Sequence, residues 1–510
     1  MSVMHRSLRP VGAAVLAALL ASSAALAAES DETAVTIYSS ALPGAIPPEL
    51  YRPVPGMGVP NAMSVPGYAM VRHDRSIKLE NGRSTIKFAD VAALIDPTTV
   101  TFTSTSEPRT RVLEQNFQFD LVSTDKLLLK YIDKPITVEH PQGNQSATLN
   151  GTLLSSVDGL VIKANDGSIH ALRSYTSVRF PELPGGLNTK PTLVWDILSP
   201  RAGEQRTRVT YQTGGITWWA DYNLVWTDGS DANHGTVDVG AWVSILNRSG
   251  TTYADAKLKL IAGDVNRVVP VPMQRARLDE LRASAAAPNF AEQSFFEFHL
   301  YTLGRNTTVA DNSTMQIELF PKVRQVPAQK LLVYYGQQSG YGFQPTPALD
   351  RNYGPPTNTK VDVYLKLDNR VQAGLGVPLP AGRVRVSQLD KKDDALEFIG
   401  ENVIDHTPKD ETVLVKLGSA FDVVGERRQV EFQVDSNARH IDETIEIKLR
   451  NHKAEPVDVV VREQLFRWAR NDVTEASQRY NRVDARTVEF PVTVEKDGEA
   501  TVRYKVRYRW

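Results

Sequence analysis

The chain is 510 residues long, 41% hydrophobic and 23% charged, with a formal charge of −1. That length exceeds what one hydrophobic core supports and predicts roughly three or four domains of about 100–200 residues each, while the composition excludes wholesale disorder and a helical membrane protein. Interspersed charges that nearly cancel leave no electrostatic footprint for nucleic acid, and the absence of cysteine removes thiol catalysis, disulfides, cysteine metal sites and a cysteine-linked lipid anchor.

In chain order, the first element is a leader. Arg6 and Arg9 form a basic n-region, Val11 to Leu20 an apolar run, and Ala25-Leu26-Ala27 the small-x-small pattern of a cleavage site. The run is shorter than the ~20 residues a spanning helix needs, so residues 1–27 are predicted to be a signal peptide, the mature protein periplasmic or secreted, and the mature chain free of any transmembrane helix. Beyond it, short alternating runs separated by Gly, Asn, Asp and Pro (STIKF, DGLVIKA, TVDVGAWVSIL, KLKLIAG, MQIELF, KVDVYLKL, ETVLVKL, RQVEFQV, TIEIKLRN) predict strands almost throughout. The expected fold is mostly β: multidomain antiparallel β-sandwiches with a small inserted barrel-like module.

Residues 28–119 are expected as an N-terminal β region with a Pro/Gly-rich arm over 41–66, a long loop rather than a core element. Residues 120–180 are the inserted module: LVSTDKLLLK opens as a short helix, and ATLNGTLLSSVDGLVIKANDGSIHALR reads as three strands joined by Asn-Gly and Asp-Gly turns. A linker over 181–191 leads to sandwich regions over 190–335 and 357–510. Met273 to Pro288 has helical composition but ends in an alanine tract and proline, so either a short helix or a mobile insertion is expected there, and Gly336 to Pro356 reads as a loop.

The run GGITWWADYNLVW decides the candidate site. In a strand, Ile216, Trp218, Ala220, Tyr222, Leu224 and Trp226 share one face, a core, while Thr217, Trp219, Asp221, Asn223 and Val225 share the other. An aromatic ring beside a carboxylate and an amide is either an inter-domain seam, with the indole N–H bonded there, or a platform for a sugar ring. Trp219, Asp221 and Asn223 are therefore the candidate ligand-binding residues, and packing is the favoured role for Trp219. Trp195, Trp218, Trp219, Trp226 and Trp242 are expected to share one large core.

Catalytic and metal motifs such as G-x-S-x-G, H-E-x-x-H and the P-loop are missing from the sequence. No cofactor and no metal are expected. The acidic cluster Glu397, Glu401, Asp405, His406, Asp410 and Glu411 reads as a solvated hairpin end. The C-terminal run TVRYKVRYRW alternates like the closing strand of an outer-membrane barrel, but the rest of the chain does not sustain that pattern. A closing hairpin turning at Lys496-Asp497-Gly498 is expected instead.

From Trp195 to Trp510 the chain resembles the C-terminal domain of bacterial mucoidy-inhibitor-like envelope proteins, a domain without assigned function. The motifs that carry the likeness are YQTGGITWWADYNL, VGAWVSILNRSGTTYADAKLKLIAGDVN, FFEFHLYTL, GLGVPLPAGRVRV and FIGENVIDHTPKDETVLVKLGSAFDVVGER. The resemblance implies an exported β-rich bacterial protein and supplies no reaction, cofactor or catalytic residue. Export, β modularity and the missing catalytic motifs make another cell-envelope protein or a glycan the expected partner. A non-enzymatic binding or scaffolding protein is thus expected; the alternatives are a carbohydrate-active hydrolase and an outer-membrane-associated β protein.

Overall fold

A computed structural model describes residues 31–38, 46–52, 61–142, 145–229, 231, 233–263, 290–295, 298–336, 346–353, 358–390 and 392–510. The predicted leader over 1–27 and the stretch of helical composition over 273–288 lie outside them. The protein is mostly β, in several sheets with sandwich-like packing. No described helix is long and apolar enough to cross a membrane.

The N-terminal sandwich sets a large sheet against a small one. The large sheet runs, among the described residues, Phe290–Phe295, Phe298–Leu303, Tyr253–Ala262, Glu32–Tyr38, Tyr68–Leu79, Gly203–Thr213, Ile95–Ser104. The small sheet is Gly82–Ala89, Thr192–Ser199 and Arg111–Gln118. Trp195 joins them, its ring 5.3 Å from Phe88 and 5.2 Å from Phe102, its N–H donating to Gln115 Oε1 at 2.8 Å. The segments 28–119 and 190–335 therefore share one sheet and one core, because Gly203–Thr213 lies between Tyr68–Leu79 and Ile95–Ser104.

His73 is buried on this core, between Phe88 and Tyr211 and within hydrogen-bond reach of the Thr33 and Tyr211 hydroxyls. Burial, aided by the Arg75 charge and opposed by Asp74 and Asp90, pushes its pKa down to about 4. The unfolded chain, with its ordinary His, takes up a proton near pH 6.5 that the folded chain refuses until about pH 4, so stability falls with falling pH across that window. The expected loss is about 3 kcal/mol between pH 7 and pH 4. Urea titrations of the native protein and a His73→Gln variant across that range check it; equal slopes for the two would refute the assignment.

The inserted module leaves the small sheet after Gln118 and returns at Thr192, two strand ends that pair with each other, so the insertion costs the sandwich no ladder. Ser123 caps the helix Thr124–Lys130, accepting from Lys126 N, and Leu128 and Tyr131 bury against the sheet. That sheet is open rather than a closed barrel: its order is Ser177–Arg179, Pro135–Gln142, Gln145–Ser155, Leu160–Ala164, Ile169–Leu172. Its edge strands, three and four residues long, do not pair with each other. Asp158-Gly159 and Asp166-Gly167 form the expected turns. Asn150-Gly151 does not; it lies inside Gln145–Ser155, where a Cβ at Gly151 would collide with the Lys163 carbonyl.

Next, a sheet rolls on itself in the order Leu396–Ile404, Gly382–Leu389, Ile216–Asp228, His234–Asn247, Ser313–Tyr335, Lys360–Asp368, Thr412–Asp435. Leu396–Ile404 meets Thr412–Asp435 at Gly400 and Leu417, without a ladder between them. Gly382–Leu389 pairs parallel to Ile216–Asp228, and a Cβ at Gly382 would strike the Ala220 carbonyl. Two long strands, Ser313–Tyr335 and Thr412–Asp435, continue into the C-terminal sandwich; the second absorbs what read as separate pieces, ETVLVKL and RQVEFQV falling on one strand.

In that sandwich, Thr412–Asp435, His440–Asn451, Glu499–Arg509 and Asn471–Ala476 face Val457–Gln464 and Thr487–Val494, and the end of Ser313–Tyr335 ladders to both Lys360–Asp368 and Val457–Gln464. The chain turns at Lys496-Asp497-Gly498 as expected, yet the flanking strands do not form a hairpin. Thr487–Val494 pairs with Val457–Gln464, and Glu499–Arg509 with His440–Asn451. Both strands carry a full apolar face, Phe490 and Val492 on one and Val502, Tyr504 and Val506 on the other, so they cover each other across the core rather than share an edge.

Candidate functional site

The tryptophan strand behaves as its alternation predicts on the inner side: Ile216, Trp218, Ala220, Tyr222, Leu224 and Trp226 are all buried in the main core. On the outer side Trp219 is also buried, at 7% exposure, and the arm buries it. Ile46, Leu50 and Val65 pack on Trp219 and Leu246, with the Tyr51 ring 5.3 Å from the indole. The arm was expected as a loop outside any core; its described parts instead supply a small core, including the short helix Pro48–Tyr51. Low charge and Pro/Gly content mark a segment without a regular ladder, but its scattered apolar side chains can still cover a ring.

Trp219, Asp221, Ser244 and Gln316 bond one another along this face, while the buried Thr217 Oγ1 and Arg383 Nε have no hydrogen-bond partner among the described residues. The Trp219 N–H donates to Asp221 Oδ2 at 2.7 Å, Ser244 Oγ donates to the same oxygen at 2.8 Å, and Gln316 Nε2 donates to Ser244 Oγ at 2.9 Å. Arg383 and Arg385 stand 3.5 Å from Asp221 Oδ1. Burial works against the charge on Arg383, and its contacts with Tyr51 and Asp221 more than offset this, holding its pKa above the ordinary value. The three candidate residues thus divide: Trp219 and Asp221 are locked into the seam, whereas Asn223 lies beyond the arm and is exposed. Trp242 also departs from the expected shared core. It pairs with Asp221 on the outer face and is 39% exposed.

A second polar constellation, missed at the level of sequence, sits inside the C-terminal sandwich. Arg427, Glu443, Glu463 and Arg467 are all buried. Arg427 Nε donates to Glu463 Oε2 at 2.8 Å, and the Tyr504 hydroxyl donates to the same oxygen at 2.5 Å. Arg467 Nη2 lies 3.0 Å from Glu443 Oε1, to which Gln429 also donates. Burial disfavours charge on Arg427, but Glu463 outweighs it and keeps the guanidinium more firmly protonated than usual. Tyr504 and Tyr508 are pushed well up, first by burial and then by Glu463 and Glu443 respectively. Arg467 also donates to the carbonyls of Ala348, Asp350 and Arg351, pinning the described end of the 336–356 loop across the sandwich mouth.

The sequence did hold a signal for this cluster. In HIDETIEIKLRN the residues Ile441, Ile445, Ile447 and Leu449 share the core parity, and Glu443 stands on the same parity. Glu463 interrupts Val457, Val459, Val461 and Leu465 in the same way. A charge on the apolar parity of a strand demands a buried partner; the sequence does not say which.

These carboxylates face arginines inside a filled core. A groove of about 630 Å³ opens elsewhere, lined by Gln478, Arg479, Asn481, Pro491, Val492, Thr493 and Ala500, with no carboxylate among them. The acidic group Glu397, Glu401, Asp405, His406, Asp410 and Glu411 is exposed, and His406 Nδ1 accepts from Ala381 N at 3.0 Å. Among the described residues no group of three or more His, Asp or Glu could hold a metal ion. No protein-family model matches the chain, and no curated protein matches it.

Proposed function

We propose that the protein is an exported, non-enzymatic β protein of the bacterial cell envelope that binds or scaffolds another envelope component, protein or glycan. The observation that carries this reading is the pair of long strands, Ser313–Tyr335 and Thr412–Asp435, each laddered into both the rolled sheet and the C-terminal sandwich. A bend between the two bodies would break those ladders, and a rigid body with broad outer sheet faces suits holding a partner better than closing on a substrate. The leader pattern over 1–27 and the motif likeness to mucoidy-inhibitor-like envelope proteins support export.

Two measurements test it. The mature protein should be recovered with soluble periplasm or medium once the envelope is washed with high salt or carbonate; recovery only in detergent-extracted outer membrane, resistant to both, would overturn that placement. Purified protein should co-sediment with the insoluble envelope fraction without releasing reducing sugars from it. Sustained release of reducing ends would assign it to the hydrolases, and absence of co-sedimentation would sink the binding role.

A further inference from the structure

The outer face of Ile216–Asp228 and His234–Asn247 has two halves. Under the described parts of the arm lie Thr217, Trp219, Ser244 and Leu246, all buried; farther along, the same two strands present Trp242, opposite the buried Asp221, and the pair Asn223–Gly240. We propose that this open half is a platform for one neutral pyranose ring, stacked on Trp242 and hydrogen-bonded by Asn223 and Arg385. The inference rests on the envelope-binding reading and names the chemistry of its ligand.

Four observations carry it. Of the four tryptophans on these two strands, Trp218, Trp219 and Trp226 are buried while Trp242 keeps 39% of its surface open, a large aromatic left on an outer sheet face. Gly240, on the same face two residues earlier, has no side chain, and only the Asn223 carbonyl lies near its missing Cβ, so space is open on the Gly240 side of the indole, while Glu318 is registered against Trp242 on the adjoining strand. The partner strand Ser313–Tyr335 carries three register shifts opposite Val237 to Trp242, the local kinks that re-aim side chains beside binding sites. Finally, the surrounding groups fit a polyhydroxylated, uncharged ligand. Asn223 offers an exposed amide that both donates and accepts. Arg385, paired across the strands with Asn223 and half-buried, is balanced by Asp221 and Glu401, each 3.5 Å away.

That balance separates the occupants. Nucleic acid or a phosphorylated lipid would call for an excess of positive charge, and an apolar peptide or acyl chain for a contiguous apolar patch; a single ring among mixed donors and acceptors offers neither. A pyranose presents axial C–H bonds, slightly positive, to the negative face of the indole, and turns its hydroxyls outward to the amide and guanidinium.

The test titrates chitohexaose, cellohexaose and maltohexaose into the full mature protein by calorimetry at millimolar concentration, alongside Trp242→Ala and Trp242→Phe. At least one oligosaccharide should bind; Trp242→Ala should weaken it tenfold or more with an unchanged melting temperature, and Trp242→Phe should retain part of the affinity. Failure of all three to bind the native protein, or binding that Trp242→Ala leaves intact, overturns the platform. Envelope co-sedimentation on the same variants keeps the two readings apart: co-sedimentation that survives Trp242→Ala in a protein that binds no oligosaccharide sinks the sugar platform alone, whereas loss of co-sedimentation in the native protein sinks the envelope-binding function.

Discussion

Arg427→Ala should destabilise the protein by about 3–5 kcal/mol, measured by urea denaturation at pH 7, because it leaves the Glu463 carboxylate charged, buried and short of its main partner. Glu463 is 1% exposed and Arg427 6%, so water cannot reach in to compensate. The cost should come from the orphaned charge rather than from any intrinsic worth of the pair. Replacing the group together, Arg427→Met with Glu463→Leu and Tyr504→Phe, should therefore recover most of the loss, since an apolar set of similar volume removes the desolvation penalty along with the attraction. If the triple variant is as unstable as the single one, the cluster stabilises by packing shape and the electrostatic account is wrong. Gly336 lies against this pair, where a Cβ would meet Glu463 Oε1 and the Arg427 side chain, so the site has little room to relax around a new group.

Trp219→Ala should cost about 3–5 kcal/mol as well, the range for losing a large aromatic from a packed site. Here the loss has two parts: the cavity beneath Ile46, Leu50 and Tyr51, and the donor that Asp221 Oδ2 loses. Trp219→Phe separates them. It keeps a ring under the arm and removes the N–H, so its cost should fall to the about 1–3 kcal/mol of one unmade buried hydrogen bond. Thermal melts of both variants, with limited proteolysis of the arm, provide the measurement. An unchanged melting temperature for Trp219→Ala would mean that the arm does not depend on this ring.

Strand content, the inner face of Ile216–Asp228, the short helix that opens the inserted module and the Asp-Gly turns were all legible in the sequence. Each depends on residues a few positions apart, whose side-chain direction or backbone φ follows from local sterics. Asn150-Gly151 shows where that locality ends. The dipeptide is strong turn chemistry, yet a neighbouring strand approaches so closely that only glycine fits, and the turn is overruled by pairing with Leu160–Ala164. Trp219 was half legible. Alternation put it opposite the core, beside Asp221, and the N–H bond between the two is an i, i+2 contact within reach of sequence reasoning. What covers it was not, since the arm lies more than 150 residues away along the chain.

By itself, then, the sequence determined a mostly β chain, the face each strand turns inward, and the turn chemistry between strands, because periodicity and φ preferences act over a few residues. The tertiary structure alone decided the rest. It settled which strands are neighbours, that the N-terminal segment shares its sheet with Gly203–Thr213, that Thr487–Val494 and Glu499–Arg509 face each other instead of pairing, and that four charges meet inside the last sandwich. The physical reason is common to all of these. Any alternating strand can pair with any other of like pattern, and the choice is made by the total apolar surface buried and by the partner each buried charge finds, both properties of the assembled sheets.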